Sequence, residues 1–211
     1  MVPALIWLLW PAVGAAQDYR VALTGYLGSA AYGSMTDDDP AVTLAPGGFY
    51  GGNLELWFGR FGARVHAGLT STELEESPDV GFDLQAADLD LVARLRRPRA
   101  GQFFQPYAVL GVGAIRYDLG TDAGVVAGFP YPENPATRAA MVLGLGTDLG
   151  SGPVAVRVEL LDMIALSSPL SRSDGSDFGP VSHVVLSLGL SFRAGSLGLP
   201  PEPEEDRGRA G

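Results

Sequence analysis

The chain has no cysteine, which excludes a disulfide framework, a thiolate metal centre and a cysteine nucleophile. It has no lysine either, so all 14 basic residues are arginine. Histidine is confined to His66 and His183, and neither has a His partner two or four positions away, as common zinc sites require. Charged residues are scarce at 18%, and the net charge of −10 makes the surface as a whole a poor match for nucleic acid. Beyond residue 16 no stretch approaches the roughly 18 uninterrupted apolar residues of a spanning helix. Any membrane crossing there has to be made by strands.

What is present begins with an apolar leader. Residues 1–16 carry no charged side chain, the run Leu5-Ile6-Trp7-Leu8-Leu9-Trp10 is strongly apolar, and Val13-Gly14-Ala15-Ala16 supplies small residues for a peptidase. This reads as a secretory signal peptide cleaved near Ala15 or Ala16. With Pro3 and Pro11 interrupting it, the segment falls short of the roughly 20 residues of a membrane anchor.

The remaining sequence shows period 2 in eight segments, the pattern of strands with one apolar face. In 183–193, Val184, Leu186, Leu188, Leu190 and Phe192 share one parity, opposite His183, Ser187, Gly189, Ser191 and Arg193. Val154, Val156, Val158 and Leu160 oppose Ala155, Arg157, Glu159 and Leu161. Ala139, Met141, Leu143, Leu145 and Leu149 oppose Gly144, Gly146 and Asp148. Leu89, Leu91, Ala93 and Leu95 oppose Asp88, Asp90, Arg94 and Arg96. Ala63, Val65, Ala67 and Leu69 oppose Arg64, His66, Gly68 and Thr70, and Leu54, Leu56 and Phe58 oppose Asn53, Glu55 and Trp57. Segments 19–32 and 106–119 are less regular. In the latter, Ala108, Leu110, Val112 and Ala114 take the apolar face, which turns Arg116 outward unless a bulge flips the register before it.

Short connections at 59–62, 97–101 and 150–153 alternate with long ones at about 33–47, 73–80, 120–137 and 165–181. An even strand count, apolar-out alternation and this asymmetry predict an all-β fold. The expected architecture is an eight-stranded antiparallel up-and-down transmembrane β-barrel with short periplasmic turns and long extracellular loops. Closure is required, because hydrocarbon does not tolerate unpaired edges. Trp57, Phe58, Phe61, Tyr107 and Phe192 lie near the short turns, and Tyr26, Tyr32, Phe49, Tyr50 and Tyr117 toward the long loops, as interfacial girdles would.

Three stretches carry a resemblance to a known family: Pro106-Tyr107-Ala108-Val109-Leu110-Gly111-Val112-Gly113, Val156-Arg157-Val158-Glu159 and Leu186-Ser187-Leu188-Gly189-Leu190-Ser191-Phe192. In their order and spacing, residues 17–194 resemble the small outer-membrane β-barrels, the OmpA transmembrane-domain and OmpX/OmpW-like group. The resemblance implies residence in the bacterial outer membrane, contact with its lipids, delivery by the barrel assembly machinery and a monomeric state. It also implies that Leu186, Leu188, Gly189, Leu190 and Phe192 form the assembly signal. Most such chains end at the aromatic, whereas here residues 195–211 follow, rich in Pro and Glu, and read as a disordered periplasmic tail.

The inward polar set is Glu55, Arg64, His66, Asp88, Asp90, Arg94, Asp148, Arg157 and Glu159, with His183 as a further candidate. Eight strands enclose a lumen that side chains fill, so these charges are expected to pair as an ionic network. Inward Gly68, Gly144, Gly146 and Gly189 are expected to make room for the Arg and Glu side chains opposite. The favoured role is structural or surface-interacting and non-enzymatic, with no cofactor. A small channel or hydrophobic-solute conduit is the alternative, ahead of a lipid-modifying enzyme or a soluble lipocalin-like carrier. Some barrels of this kind are acyl hydrolases with a His-x-Ser pair, and here His183 is followed by Val184-Val185. Asp88-x-Asp90 fits an acid–base pair formally, but Arg94 beside it favours salt bridging. Gly111-x-Gly113 and Gly144-x-Gly146 lack the third glycine and helix of a nucleotide fingerprint. The acidic run Asp37-Asp38-Asp39, with Glu73, Glu75, Glu76, Asp79, Asp174 and Asp177, reads as a solvated face. A looser reading lets it hold divalent cations against lipid headgroups, and Arg60, Arg96, Arg97 and Arg99 at the short turns could meet lipid phosphates.

Overall fold

The computed structural model describes residues 19–37, 41–75, 77–97, 101–119 and 124–195. The expected signal peptide and all of the expected tail beyond Gly195 lie outside these residues, as do Asp38, Asp39, Glu76 and Arg99.

The alternating segments form eight long strands: β1 (Tyr19–Tyr32), β2 (Gly47–Phe58), β3 (Phe61–Leu74), β4 (Ser77–Arg94), β5 (Phe104–Leu119), β8 (Ala136–Leu149), β9 (Val154–Ala165) and β10 (Val181–Ala194). Two-residue strands β6 (Val125–Val126) and β7 (Phe129–Pro130) make a small hairpin within the connection from β5 to β8. Each long strand pairs antiparallel with its sequence neighbour, and β1 pairs β10 from Val21↔Ala194 to Tyr32↔His183, which closes the barrel. Closure satisfies the backbone of both end strands. The start of β1 and the end of β10 lie together at the end that carries the turns 59–60 and 150–153. Gly59 sits at φ +58°, the left-handed conformation that a two-residue hairpin demands.

The faces are inverted relative to a soluble protein. Outward positions carry Leu27 (72% exposed), Leu54, Val65, Leu91, Val112, Leu145 and Leu188 (59%), whereas Arg64, His66, Arg157 and Glu159 are buried inside. This apolar surface runs from Phe58 to Tyr50 on β2 and from Phe192 to Val184 on β10. With a rise of about 3.3 Å per residue and a tilt of about 40°, it is on the order of 20 Å tall, close to the roughly 25 Å band of membrane barrels. Outward Ser71, Asp83, Gln85, Arg116, Asp162 and Ser182 mark its upper limit.

Three expectations are corrected. The connection expected at 73–80 is a two-residue turn, because the alternation continues through β3 to Leu74 and resumes at Ser77, with buried Leu74 and Phe82 on the inner side. The turn expected at 97–101 lengthens to 95–103, since β4 ends at Arg94 and β5 starts at Phe104. The aromatic girdles are also redistributed. Trp57, Tyr107, Tyr26, Phe49 and Tyr117 are buried within the barrel, while Tyr19, Phe58, Phe61, Phe103, Phe104 and Phe192 are exposed around the turn end. Their parity decides it: Trp57 and Tyr107 share the face of Glu55 and Val109. In β5 the register against β4 is unbroken, so Arg116 points outward without a bulge and meets Asp118 at 3.5 Å.

The loop end is covered. Met35, Val42, Leu44, Leu74, Phe82, Leu119, Val126, Tyr131, Leu170 and Phe178 belong to one buried apolar cluster that joins the loops to the upper ends of β3, β4 and β5. Phe129 meets Phe178 edge-on at 5.4 Å, and Tyr131 donates to the Tyr117 carbonyl at 2.9 Å. Backbone bonds from Ala45 to Glu73 and from Ser171 to Pro130 tie the loops to one another.

Candidate functional site

Each inward charge gets its place from strand register. Glu55, Arg64 and Asp90 stand side by side across β2, β3 and β4, and Asn53, His66 and Asp88 form the adjacent row. Asp148 and Arg157 are opposed across β8 and β9. Signs therefore alternate between neighbours, which favours each pair directly.

The longer contacts cross the lumen. Arg157 donates through Nε to Asp148 at 2.7 Å and through Nη2 to Glu55 at 2.9 Å and Asp148 at 3.1 Å, with Nη1 also on Glu55. Trp57 Nε1 donates to the same Glu55 carboxylate at 2.8 Å. Arg64 donates through Nε to Asp90 at 2.6 Å and through Nη1 to Glu159, which also accepts from the Tyr107 hydroxyl at 2.9 Å. In the barrel order β3 and β9 are four strands apart in either direction, so the Arg64–Glu159 pair spans the full width of the lumen. Arg157 also lies over the Tyr107 ring at 5.0 Å. His66 Nδ1 meets Asp88 at 2.6 Å, and its ring stacks on Tyr26 at 5.5 Å.

Two candidates stand apart. Arg94 has no ion pair among the described residues and lies over Trp57 at 4.4 Å. His183 sits higher, with Nε2 2.5 Å from the Tyr117 hydroxyl and its ring edge-on to Tyr32 at 5.4 Å. It borders a mostly apolar void with Phe49, Leu84, Ile115 and Met163, where about 20 Å³ is open to a water centre, roughly one molecule's worth. On the last strand, Leu186, Leu188, Leu190 and Phe192 face outward and Gly189 faces inward against Tyr26.

The role expected of the inward glycines is corrected. A Cβ on Gly68 would meet the Phe49 ring, one on Gly146 the Tyr107 ring, one on Gly144 the Leu161 side chain, and one on Gly189 the backbone of Gly25 and the side chain of Tyr26. They make room for rings and a leucine rather than for Arg and Glu. Gly111 is the one that accommodates a charge, the Asp90 carboxylate. The residues that sequence reasoning left out of the site are Tyr107, Trp57, Tyr26, Arg20 and Arg193. Parity alone could have found them.

Chemically this arrangement fixes position. Both carboxylates of Asp88-x-Asp90 are buried, one on His66 and the other on Arg64. A one-residue slip of β3 or β9 would send a buried arginine, Arg64 or Arg157, toward lipid, at about 2–4 kcal/mol near the midplane. No group of three or more His, Asp or Glu that could hold a metal occurs among the described residues. At the loops, Ser176 holds the Asp174 carboxyl below its usual range through its hydroxyl and N–H, and burial pushes the Tyr131 phenol up.

No family model and no curated protein sequence matches this chain. Solved structures do. Neisserial surface protein A is 12% identical, covers 82% of this chain with 96% of its own, and superposes with a TM-score of 0.56. OprG from Pseudomonas aeruginosa is 11% identical over 85% of this chain and 97% of its own, at 0.54. The N-terminal barrel domain of OprF from the same organism is 13% identical over 83% and 97%, at 0.51. At such identities the likeness speaks for the fold. An antiparallel meander closed on itself, apolar outside and ionic within, is the fold of the eight-stranded outer-membrane β-barrels, and this chain has it.

Proposed function

We propose that the protein is an integral barrel of the bacterial outer membrane, exported through a cleaved signal peptide, whose role is structural or surface-interacting and non-enzymatic. Its turns face the periplasm and its loops the exterior. It works as a monomer among outer-membrane lipids. Leu186, Leu188, Gly189, Leu190 and Phe192 serve the assembly machinery as the recognition signal on the closing strand. The observation that carries a sealed, non-conducting barrel is the Arg64–Glu159 pair across the full lumen, with Glu55, Asp148 and Arg157 filling the space on its turn-end side. The apolar cluster of Met35, Leu44, Phe82, Tyr131 and Phe178 closes the other end. Both would have to move before ions could pass, and desolvated charges resist such separation.

Two measurements test this reading. Boiled and unboiled outer-membrane fractions should differ in SDS gel mobility, since a closed barrel resists SDS until heated. In planar bilayers the refolded protein should leave the baseline conductance unchanged. Steady, reproducible conductance steps would replace the sealed barrel with a channel.

A further inference from the structure

The lowest inward layer at the turn end is unbalanced in charge. Arg20 of β1, Arg94 of β4 and Arg193 of β10 all face into the lumen there, level with Trp57 and Gln105. Asp148 is the carboxylate within electrostatic reach of all three. Both of its oxygens are already held by Arg157, and it lies 3.8 Å from Arg193 Nη1. Glu55, the other nearby acid, is also taken by Arg157. Among the described residues, four guanidiniums (Arg20, Arg94, Arg157, Arg193) thus share two carboxylates. One layer higher the balance differs, with Arg64 on Asp90 and Glu159 and His66 on Asp88.

Arg94 is 3% exposed, and neither of its Nη atoms has a hydrogen-bond partner. Arg193 donates through Nη2 to the Gly150 carbonyl at 2.8 Å, and its Nε and Nη1 have no hydrogen-bond partner. Buried guanidinium donors without acceptors are costly unless a counter-charge joins them. Guanidinium forks pair with the oxygens of carboxylate and phosphate alike and so suit an oxyanion better than a monatomic anion.

We propose that Arg20, Arg94 and Arg193 form an oxyanion site in the turn-end mouth of the lumen, suited to a phosphate group. The same chemistry has two sources. One is phosphate from the compartment the turns face. The other is the carboxylates of Glu202, Glu204, Glu205 and Asp206, which follow Arg193 in the sequence within reach of an extended chain.

Trp57 is the sole tryptophan after residue 10, and Arg94 lies on its face, so its emission reports on the site. The test is calorimetric titration of inorganic phosphate, with Trp57 emission followed alongside, into two detergent-refolded chains, 17–211 and 17–195. Saturable binding to both supports an oxyanion from solution. Binding to the shorter chain alone identifies the acidic residues as the natural occupant. Arg94→Gln and Arg193→Gln should each lower phosphate affinity about tenfold or more, whereas Arg172→Gln at the loop end should leave it unchanged. Each variant is checked for the heat-dependent gel shift first, so that if one fails to fold the other carries the test. No saturable heat with either chain, or undiminished affinity in a folded Arg94→Gln or Arg193→Gln barrel, overturns the site.

Discussion

Replacing Arg157 with methionine is the sharpest probe of the lumen. The guanidinium makes four hydrogen bonds to two acids, Asp148 through Nε and Nη2 and Glu55 through Nη1 and Nη2. Methionine keeps much of the stem's volume and supplies no donor. Glu55 would then retain the Trp57 indole at 2.8 Å, and Asp148 only Arg193 at 3.8 Å. Breaking one buried pair by removing a partner costs about 3–5 kcal/mol, because an uncompensated charge stays behind. Two acids are orphaned here, while Trp57 and Arg193 offset part of the loss, so about 3–5 kcal/mol is the expected destabilisation. Urea unfolding in lipid vesicles, read by the heat-dependent gel shift, measures it. The triple variant Arg157→Met, Glu55→Gln, Asp148→Asn removes the stranded charges and should regain most of the stability. A loss under about 1 kcal/mol for Arg157→Met, the size of a solvated surface pair, would refute a desolvated lumen.

Three other outcomes follow from the same barrel geometry. Leu188→Arg puts a charge on the outward face near mid-strand and should cost about 2–4 kcal/mol in vesicles, and wild-type stability there would remove Leu188 from the lipid face. Gly146→Ala drives a Cβ into the Tyr107 ring, which Glu159 holds by its hydroxyl, and should cost about 1–3 kcal/mol. Gly152→Ala, with open space around it, is the matched control, and equal behaviour of the two would discredit the packing. Asp174 accepts from Ser176 N–H at 2.9 Å and Oγ–H at 2.7 Å, which depresses its pKa in the folded state. That turn's contribution is therefore complete above the ordinary aspartate value of about 3.9 and is lost as pH falls through the lower folded value. Ser176→Ala should raise the Asp174 titration midpoint measured by NMR, and an unmoved midpoint would show that Ser176 does not set it.

The barrel wall was legible because period 2 is an all-or-none property. Within the apolar band one parity of β4 (Ala87 to Ala93), β9 (Val154 to Leu160) and β10 (Val184 to Phe192) is apolar throughout, and a strand with such a face has only one way to sit between lipid and lumen. The lumen was legible only as a list of residues. That Arg64 reaches Glu159 rather than Glu55, its register neighbour, depends on how far the chain wraps before β9, which parity does not encode. The aromatics misled for a related reason. Trp57 and Tyr107 sit at the height of an interface but on the wrong side of the wall, so position along the strand pointed outward and parity pointed in. Here parity decides, since a ring cannot cross the sheet. The turn at 75–76 escaped notice because Ser77 and the residues after it resemble a loop in composition, although they pair with β3.

The hairpin of β3 and β4 continues past the apolar band in unbroken register as far as Glu73↔Gly81, where the register shifts, and the bridge between Leu44 and Leu74 fastens the first loop to its side. A surface built this way is ordered before anything touches it. A molecule landing on the loop end would immobilise few backbone torsions, so little of its binding energy would go into ordering the barrel. Affinity there would be set by side chains such as Glu75, Asp79 and Asp174, which can be exchanged while Leu44, Leu74 and Phe82 keep the frame. Under the proposed orientation, such a division would let the binding properties of the loop end change while the scaffold stays the same.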